Sequence, residues 1–219
     1  MDQKIIESWN KNSAEWVRVV DNDQIESRRF TNTAIENEVK KLSGGKIIDI
    51  GCGEGWLTRS MTAIGKNATG IDAIEQLLLS ARTKGPETYH QMRYEDLIQG
   101  KPIPGGPYDA AVFNFCLYQK DGLDRLLMAT KNQLSSEGEI LIQTLHPFFL
   151  FDNGLAYKSQ TISNSWKGLP GNFIDGHEWY ARTFEDWVDT ITESGLKISG
   201  CREIVNSEKR PVSLILKIN

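Results

Sequence analysis

The residues of this chain best spaced for chemistry are Asp49-Ile50-Gly51-Cys52-Gly53-Glu54-Gly55. Glycines at alternate positions let the backbone turn sharply and approach a ligand with no side chains in the way. The apolar run Lys46-Ile47-Ile48-Asp49-Ile50 enters the loop as a buried parallel strand would, and a helix is expected beyond it. A helix N-terminus offers unpaired amides and positive potential, which suit a carboxylate or a phosphate. Asp72 closes the next apolar run about 20 residues further on, where nucleotide-binding α/β sites place an acid to hold ribose hydroxyls. It also precedes Ala73 to Leu77 and suits a helix N-cap, and the two roles can coexist.

Spacing separates two classes of ligand. The dinucleotide fingerprint is GxGxxG, with its third glycine packing the helix onto the strand. Here the pattern is GxGxG, with Asp49 two residues ahead of it. An acid at that point repels a pyrophosphate, yet it accepts hydrogen bonds from an ammonium group. S-adenosylmethionine carries such an ammonium and a nicotinamide dinucleotide does not, so the loop favours the sulfonium cofactor. A nicotinamide oxidoreductase is the weaker alternative.

The elements that must position these residues follow from periodicity. Residues 3–20 and 24–42 read as helices, the second carrying Ile35, Val39 and Leu42 and stopping at Ser43-Gly44-Gly45. Strands are expected at 46–50, 68–71, 88–92, 108–113 and 139–144, alternating with helices at 54–64, 74–83 and 122–134. Such alternation implies an open parallel sheet covered on both faces. The stretch 147–182 has no clean period and is rich in Gly, Asn, Ser and aromatics. A helix at 183–194 restores the rhythm through Phe184, Trp187, Val188 and Ile191, and strands 196–205 and 212–218 look like a closing hairpin.

In the stretch IIDIGCGEGWL the chain resembles the class I S-adenosylmethionine-dependent methyltransferase superfamily. The resemblance covers Lys46 to Thr144 and the terminal strand pair. It implies an α/β, Rossmann-like class I methyltransferase fold, with a mostly parallel seven-stranded sheet, an antiparallel C-terminal strand and helices on both faces. It implies one domain over 1–219: N-terminal helices (1–42), cofactor-binding core (46–144), acceptor-side insertion (147–182), closing helix and hairpin (183–219). For S-adenosyl-L-methionine it implies Asp49, Gly51 and Gly53 at the methionine end and Asp72 at the ribose, with Cys52, Trp56 and Ala73 also among the cofactor-binding residues. Tyr94 and Glu95 would flank the adenine, though Asp96 could replace Glu95, and Asn114 with Phe115 would border the methyl group. The Asn-Pro-Pro-Tyr signature of amino-methyltransferases is missing; Asn114-Phe115-Cys116-Leu117 stands there instead. A subgroup of small bacterial-type methyltransferases shares the Gly-Cys-Gly-Glu-Gly-Trp loop, the Thr-Leu-His-Pro step and the Trp-Tyr-x-Arg-Thr element, but implies no acceptor.

The acceptor is expected beyond the carboxyl ends of the strands. His146 is the candidate catalytic base, because its ordinary pKa lies near neutrality. His146, Trp179, Tyr180 and Arg182 are the candidate acceptor-binding residues, and Arg182 or Arg28 could pair with an acidic acceptor or the cofactor carboxylate. A small-molecule acceptor methylated at oxygen is the first expectation, and a cofactor-binding module without turnover is the second. A net charge of -4 argues against a nucleic-acid partner. Met1-Asp2-Gln3-Lys4 opens a polar stretch with no signal core, and no apolar run reaches the roughly 20 residues of a membrane span. Cys52, Cys116 and Cys201 lie apart with no CxxC or Cys/His cluster, so neither disulfides nor a metal site are expected. A cytoplasmic monomer or homodimer is the resulting expectation.

Overall fold

The computed structural model describes residues 3–219, so the reading of Met1 and Asp2 lies outside the described residues. Two helices, α1 (Gln3–Asp21) and α2 (Arg28–Lys41), precede the first strand, β1 (Lys46–Ile50). The alternation then runs α3 (Trp56–Ala63), β2 (Asn67–Asp72), α4 (Glu75–Lys84), β3 (Thr88–Gln91), α5 (Tyr94–Ile98) and β4 (Tyr108–Asn114). It continues with α6 (Leu123–Lys131), β5 (Leu134–Leu145) and α7 (Phe149–Asp152). A small hairpin of β6 (Gln160–Ile162) and β7 (Trp179–Ala181) precedes α8 (Phe184–Glu193), β8 (Ile198–Val205) and β9 (Pro211–Ile218).

Seven strands form one sheet in the order β3-β2-β1-β4-β5-β9-β8, and β6 pairs with β7 in a separate two-stranded sheet. Strands β1 to β5 pair in parallel, while β9 runs antiparallel to both β5 and β8. This is the Rossmann-like class I methyltransferase arrangement, with its single reversed strand.

Side chains alternate across a strand, and here the alternation divides one sheet between two cores. Ile48, Ile50, Ala111 and Phe113 pack on the face covered by α5, α6 and α8, against Leu97, Leu126, Leu127 and Trp187. Their neighbours Ile47, Ala110 and Val112 pack on the opposite face, against Ile35 and Val39 of α2 and Leu57 and Met61 of α3. Burial on both faces is why these strands read as continuous apolar runs.

Several boundaries differ from expectation. The second helix begins at Arg28, because residues 24–27 form a turn whose Arg28 amide bonds the Ile25 carbonyl. The sixth helix stops at Lys131, and Leu134 pairs with Tyr108 as the start of a longer fifth strand. Tyr94 and Glu95 lie in a one-turn helix after β3, closed by the Asp96 carboxylate accepting from the Arg93 amide at 2.8 Å.

Candidate functional site

The carboxyl ends of β1, β2, β4 and β5 open into one cavity of about 920 Å³. Its floor is the glycine loop. The amides of Gly51 and Cys52 donate to the Ile71 carbonyl at 2.8 and 3.0 Å, tying the loop to the end of β2. Asp72 grips both sides of this junction: one carboxylate oxygen accepts from the Gly53 amide at 2.9 Å, the other from the Ile74 amide at 2.8 Å. Gly51 has a φ of +74°, and a Cβ there would lie 2.6 Å from the Cys116 Cβ, so no other residue fits. Gly53 has a φ of +58°, and the nearest atom its missing Cβ would meet is the Trp16 indole nitrogen at 3.9 Å. The loop backbone therefore faces open cavity beneath Trp16.

The electrostatics of this end call for a cation. Asp49 is 1% exposed, and the Thr58 hydroxyl donates to its carboxylate at 2.7 Å. Burial pushes its carboxyl up to about 7, and the neighbouring carboxylates of Asp72 and Glu54 push in the same direction. Burial also raises Asp72, against the amides that stabilise its charged form. Glu54 is already paired with Arg59 at 2.8 Å and Lys84 at 3.4 Å. Asp49 is thus a buried carboxyl that an incoming ammonium would neutralise. The Arg28 guanidinium sits 4.8 Å over the Trp56 ring at the cavity wall, where it can meet a carboxylate. The residues at this end fit S-adenosylmethionine: bare loop backbone, a carboxyl for its ammonium and an acid at the neighbouring strand for its ribose.

Asp49, Gly51, Cys52, Gly53, Trp56, Asp72, Ala73, Tyr94, Asn114 and Phe115 all line the cavity. Glu95 does not, because the first turn of α5 directs Tyr94 inward and carries the next residue around the helix. Tyr94 is buried, donates its hydroxyl to the Cys116 carbonyl at 3.1 Å and meets Phe113 edge-to-face. Phe115 holds a left-handed φ of +52°, a conformation unusual for a bulky residue and concentrated at functional sites. Cys52 and Cys116 are buried thiols pushed up by burial, Cys116 to about 12, so neither is a nucleophile.

His146, Trp179, Tyr180 and Arg182 also reach the cavity, but two of them are engaged elsewhere. The His146 Nδ1 accepts from the Phe148 amide at 3.0 Å, and its Nε2 faces Glu203 Oε1 at 2.9 Å. An accepting Nδ1 puts the ring proton on Nε2, which donates to the carboxylate, so no lone pair remains for a substrate proton. The expected base is therefore a structural histidine in this arrangement. Arg182 is 5% exposed and donates to the carbonyls of Gln119 at 3.0 Å and Lys120 at 2.6 Å. It stacks on Tyr180 and Trp187 as well, so it fastens the insertion to the loop after β4 instead of awaiting an anion.

Trp9, Trp16, Tyr118 and His177, for which nothing was expected, also line the cavity, as does Trp166, one of the aromatics of the 147–182 stretch. All six tryptophans of the chain do so. Trp9 and Trp16 stand seven residues apart on one face of α1, a spacing that could have disclosed them. His177 lies in a segment without period and gave no signal, and Trp166 was marked there only by the segment's aromatic content.

The folding and the site together define a class. The methyltransferase domain family model matches residues 26–197. A ubiquinone biosynthesis O-methyltransferase of Marinobacter nauticus is 26% identical over 192 residues, 83% of this chain and 75% of that protein. The enzyme of the same name from Xylella fastidiosa (strain M23) is 31% identical over 108 residues, and the match spans only 44% of its length and 42% of this chain. Among solved structures, an S-adenosylmethionine-dependent methyltransferase of Mesorhizobium loti shares the fold. Its TM-score is 0.64 at 20% identity, covering 84% of this chain and 95% of that one. The chain belongs to the methyltransferase domain family, within the class I S-adenosylmethionine-dependent superfamily.

Proposed function

We propose that this methyltransferase transfers the methyl group of S-adenosylmethionine to an oxygen atom of a small molecule held under the aromatic insertion. The cofactor supplies an activated methyl: its carbon–sulfur bond breaks as the acceptor's carbon–oxygen bond forms, leaving a neutral thioether. The protein's own work is binding, alignment and exclusion of water. Asp49 meets the cofactor ammonium, Arg28 its carboxylate and Asp72 its ribose hydroxyls, while Gly51 and Gly53 let the ligand lie against backbone. Asn114 and Phe115, at the end of β4, border the transferred methyl. The hydroxyl proton leaves toward solvent or a neighbouring base other than His146.

The observation that carries this reading is the continuity of one cavity from the glycine loop to the insertion. Its volume of about 920 Å³ lies within the range of small-ligand sites and leaves room for a modest second molecule. The chain's net charge of -4 favours a small acceptor over a nucleic acid. No helix among the described residues is long and apolar enough to cross a membrane, and none of their His, Cys, Asp and Glu side chains group to hold a metal ion. The relatives named as O-methyltransferases support oxygen as the methylated atom. The test is incubation with isotope-labelled S-adenosylmethionine and a panel of hydroxyl and amine compounds. Label in an O-methyl product supports the proposal, and label only in N-methyl products overturns it.

A further inference from the structure

The two ends of the cavity differ in charge. Among the described residues its carboxylates are Asp49, Glu54 and Asp72, all at the glycine-loop end. From Asn114 onward no Asp or Glu among the described residues lines it. The cations there are Arg182, engaged with two carbonyls, and Lys167, which is exposed to solvent. The remaining charge, Arg28, sits on Trp56 beside the loop. A charged acceptor would therefore lose its hydration with no free buried partner of opposite sign among the described residues.

The walls at this end are rings. Trp9 meets Trp166 edge-on with centroids 4.7 Å apart, and Tyr118 lies 6.2 Å from Trp9 and 5.3 Å from His177. Trp179, on β7, packs on Phe149 of α7 at 5.4 Å. The polar point among them is the Ser165 hydroxyl and His177 Nδ1, 2.9 Å apart, with His177 4% exposed. Flat apolar faces with a hydroxyl-and-imidazole pair suit a flat apolar ligand that carries one hydrogen-bonding group.

We infer that the acceptor is an uncharged aromatic hydroxyl compound whose ring lies among Trp9, Tyr118, Trp166 and Trp179. This rests on the methyl-transfer reading only in calling the ligand an acceptor. Charge selects against anions and against ammonium compounds alike, and ring stacking selects against aliphatic alcohols of equal size.

Calorimetry of the full chain saturated with S-adenosylhomocysteine tests it, with 2-naphthol, its anionic relative 2-naphthoate and the non-aromatic decahydro-2-naphthol as probes. The expected result is 2-naphthol binding at least about tenfold more tightly than either, a difference of about 1.4 kcal/mol. Trp179→Ala, on a half-exposed strand, should weaken 2-naphthol about fivefold or more while S-adenosylhomocysteine binds as before. Equal or tighter binding of 2-naphthoate or the saturated alcohol overturns the inference, as does no binding of 2-naphthol. If S-adenosylhomocysteine binds and 2-naphthol does not, only the acceptor class falls; if neither binds, the methyl-transfer reading falls with it.

Discussion

Asp49 holds a carboxyl where water cannot reach it. Its folded-state value near 7 exceeds the value in an unfolded chain, so the ligand-free fold carries an extra proton between the two. Stability from this group is therefore greatest in acid. It falls as pH rises from about 4 toward 7 and is level above that. Cofactor binding has the opposite sign, because the ammonium needs the ionised form. Affinity for S-adenosylhomocysteine should rise through pH 7, with about one proton released per ligand at pH 6. Calorimetry in buffers of different ionisation heat measures that proton; no release would remove Asp49 from the binding account. Asp49→Asn should raise the melting temperature of the ligand-free protein at pH 8 and weaken the ligand about tenfold or more. His146→Gln should lower stability by about 1 kcal/mol through its lost pairing and leave the pH profile of methyl transfer in place. Loss of that profile's alkaline rise would restore His146 as a base. Asp49, Asp72 and the glycines were legible in the sequence because one spacing sets their chemistry. The engagement of His146 was not, since its partners Phe148 and Glu203 come from a turn and from β8.

At the scale of elements, α1 and the insertion form one roof. The Asn12 side chain both accepts from the Ile174 amide at 2.9 Å and donates to its carbonyl at 2.7 Å, as a neighbouring strand would. Ser8 donates to the Asp175 carbonyl at 2.7 Å and accepts from the Trp166 indole at 2.9 Å. Beneath these bonds, Trp166 stacks on Phe173. Asn12→Ala should cost about 1–2 kcal/mol by leaving the Ile174 amide and carbonyl without this partner, and should speed hydrogen exchange at the Ile174 amide. Unchanged exchange there would contradict the coupling of the two segments. Arg182→Met should likewise release the carbonyls of Gln119 and Lys120 and destabilise by about 2–4 kcal/mol. Denaturant titration reads that loss. Helices with a 3.6 period and strands buried on both faces were readable from residue order. The roof was not, because its bonds join positions more than 150 apart in the chain, as the Asn12 pairing with Ile174 at a separation of 162 illustrates.

Across the whole molecule, the sheet order puts the ends of β1, β2 and β4 side by side, so three separate sequence motifs converge on one crevice. The reversal of β9 against β5 follows from the hairpin with β8, and the turn at Asn206 to Arg210 marks it in the sequence. The far end of the cavity is built by the insertion and α1 jointly; the insertion's aromatic content was legible in the sequence, and the Trp9 and Trp16 face of α1 was passed over. The most direct measurement of the central claim is a calorimetric titration with S-adenosylhomocysteine and, separately, with NADH, on the chain and on Asp72→Ala. The account predicts one S-adenosylhomocysteine bound per chain, no NADH, and a loss of about 1–3 kcal/mol on removing the Asp72 carboxylate. Saturable NADH binding with none for S-adenosylhomocysteine, or an Asp72→Ala chain of undiminished affinity, would contradict it.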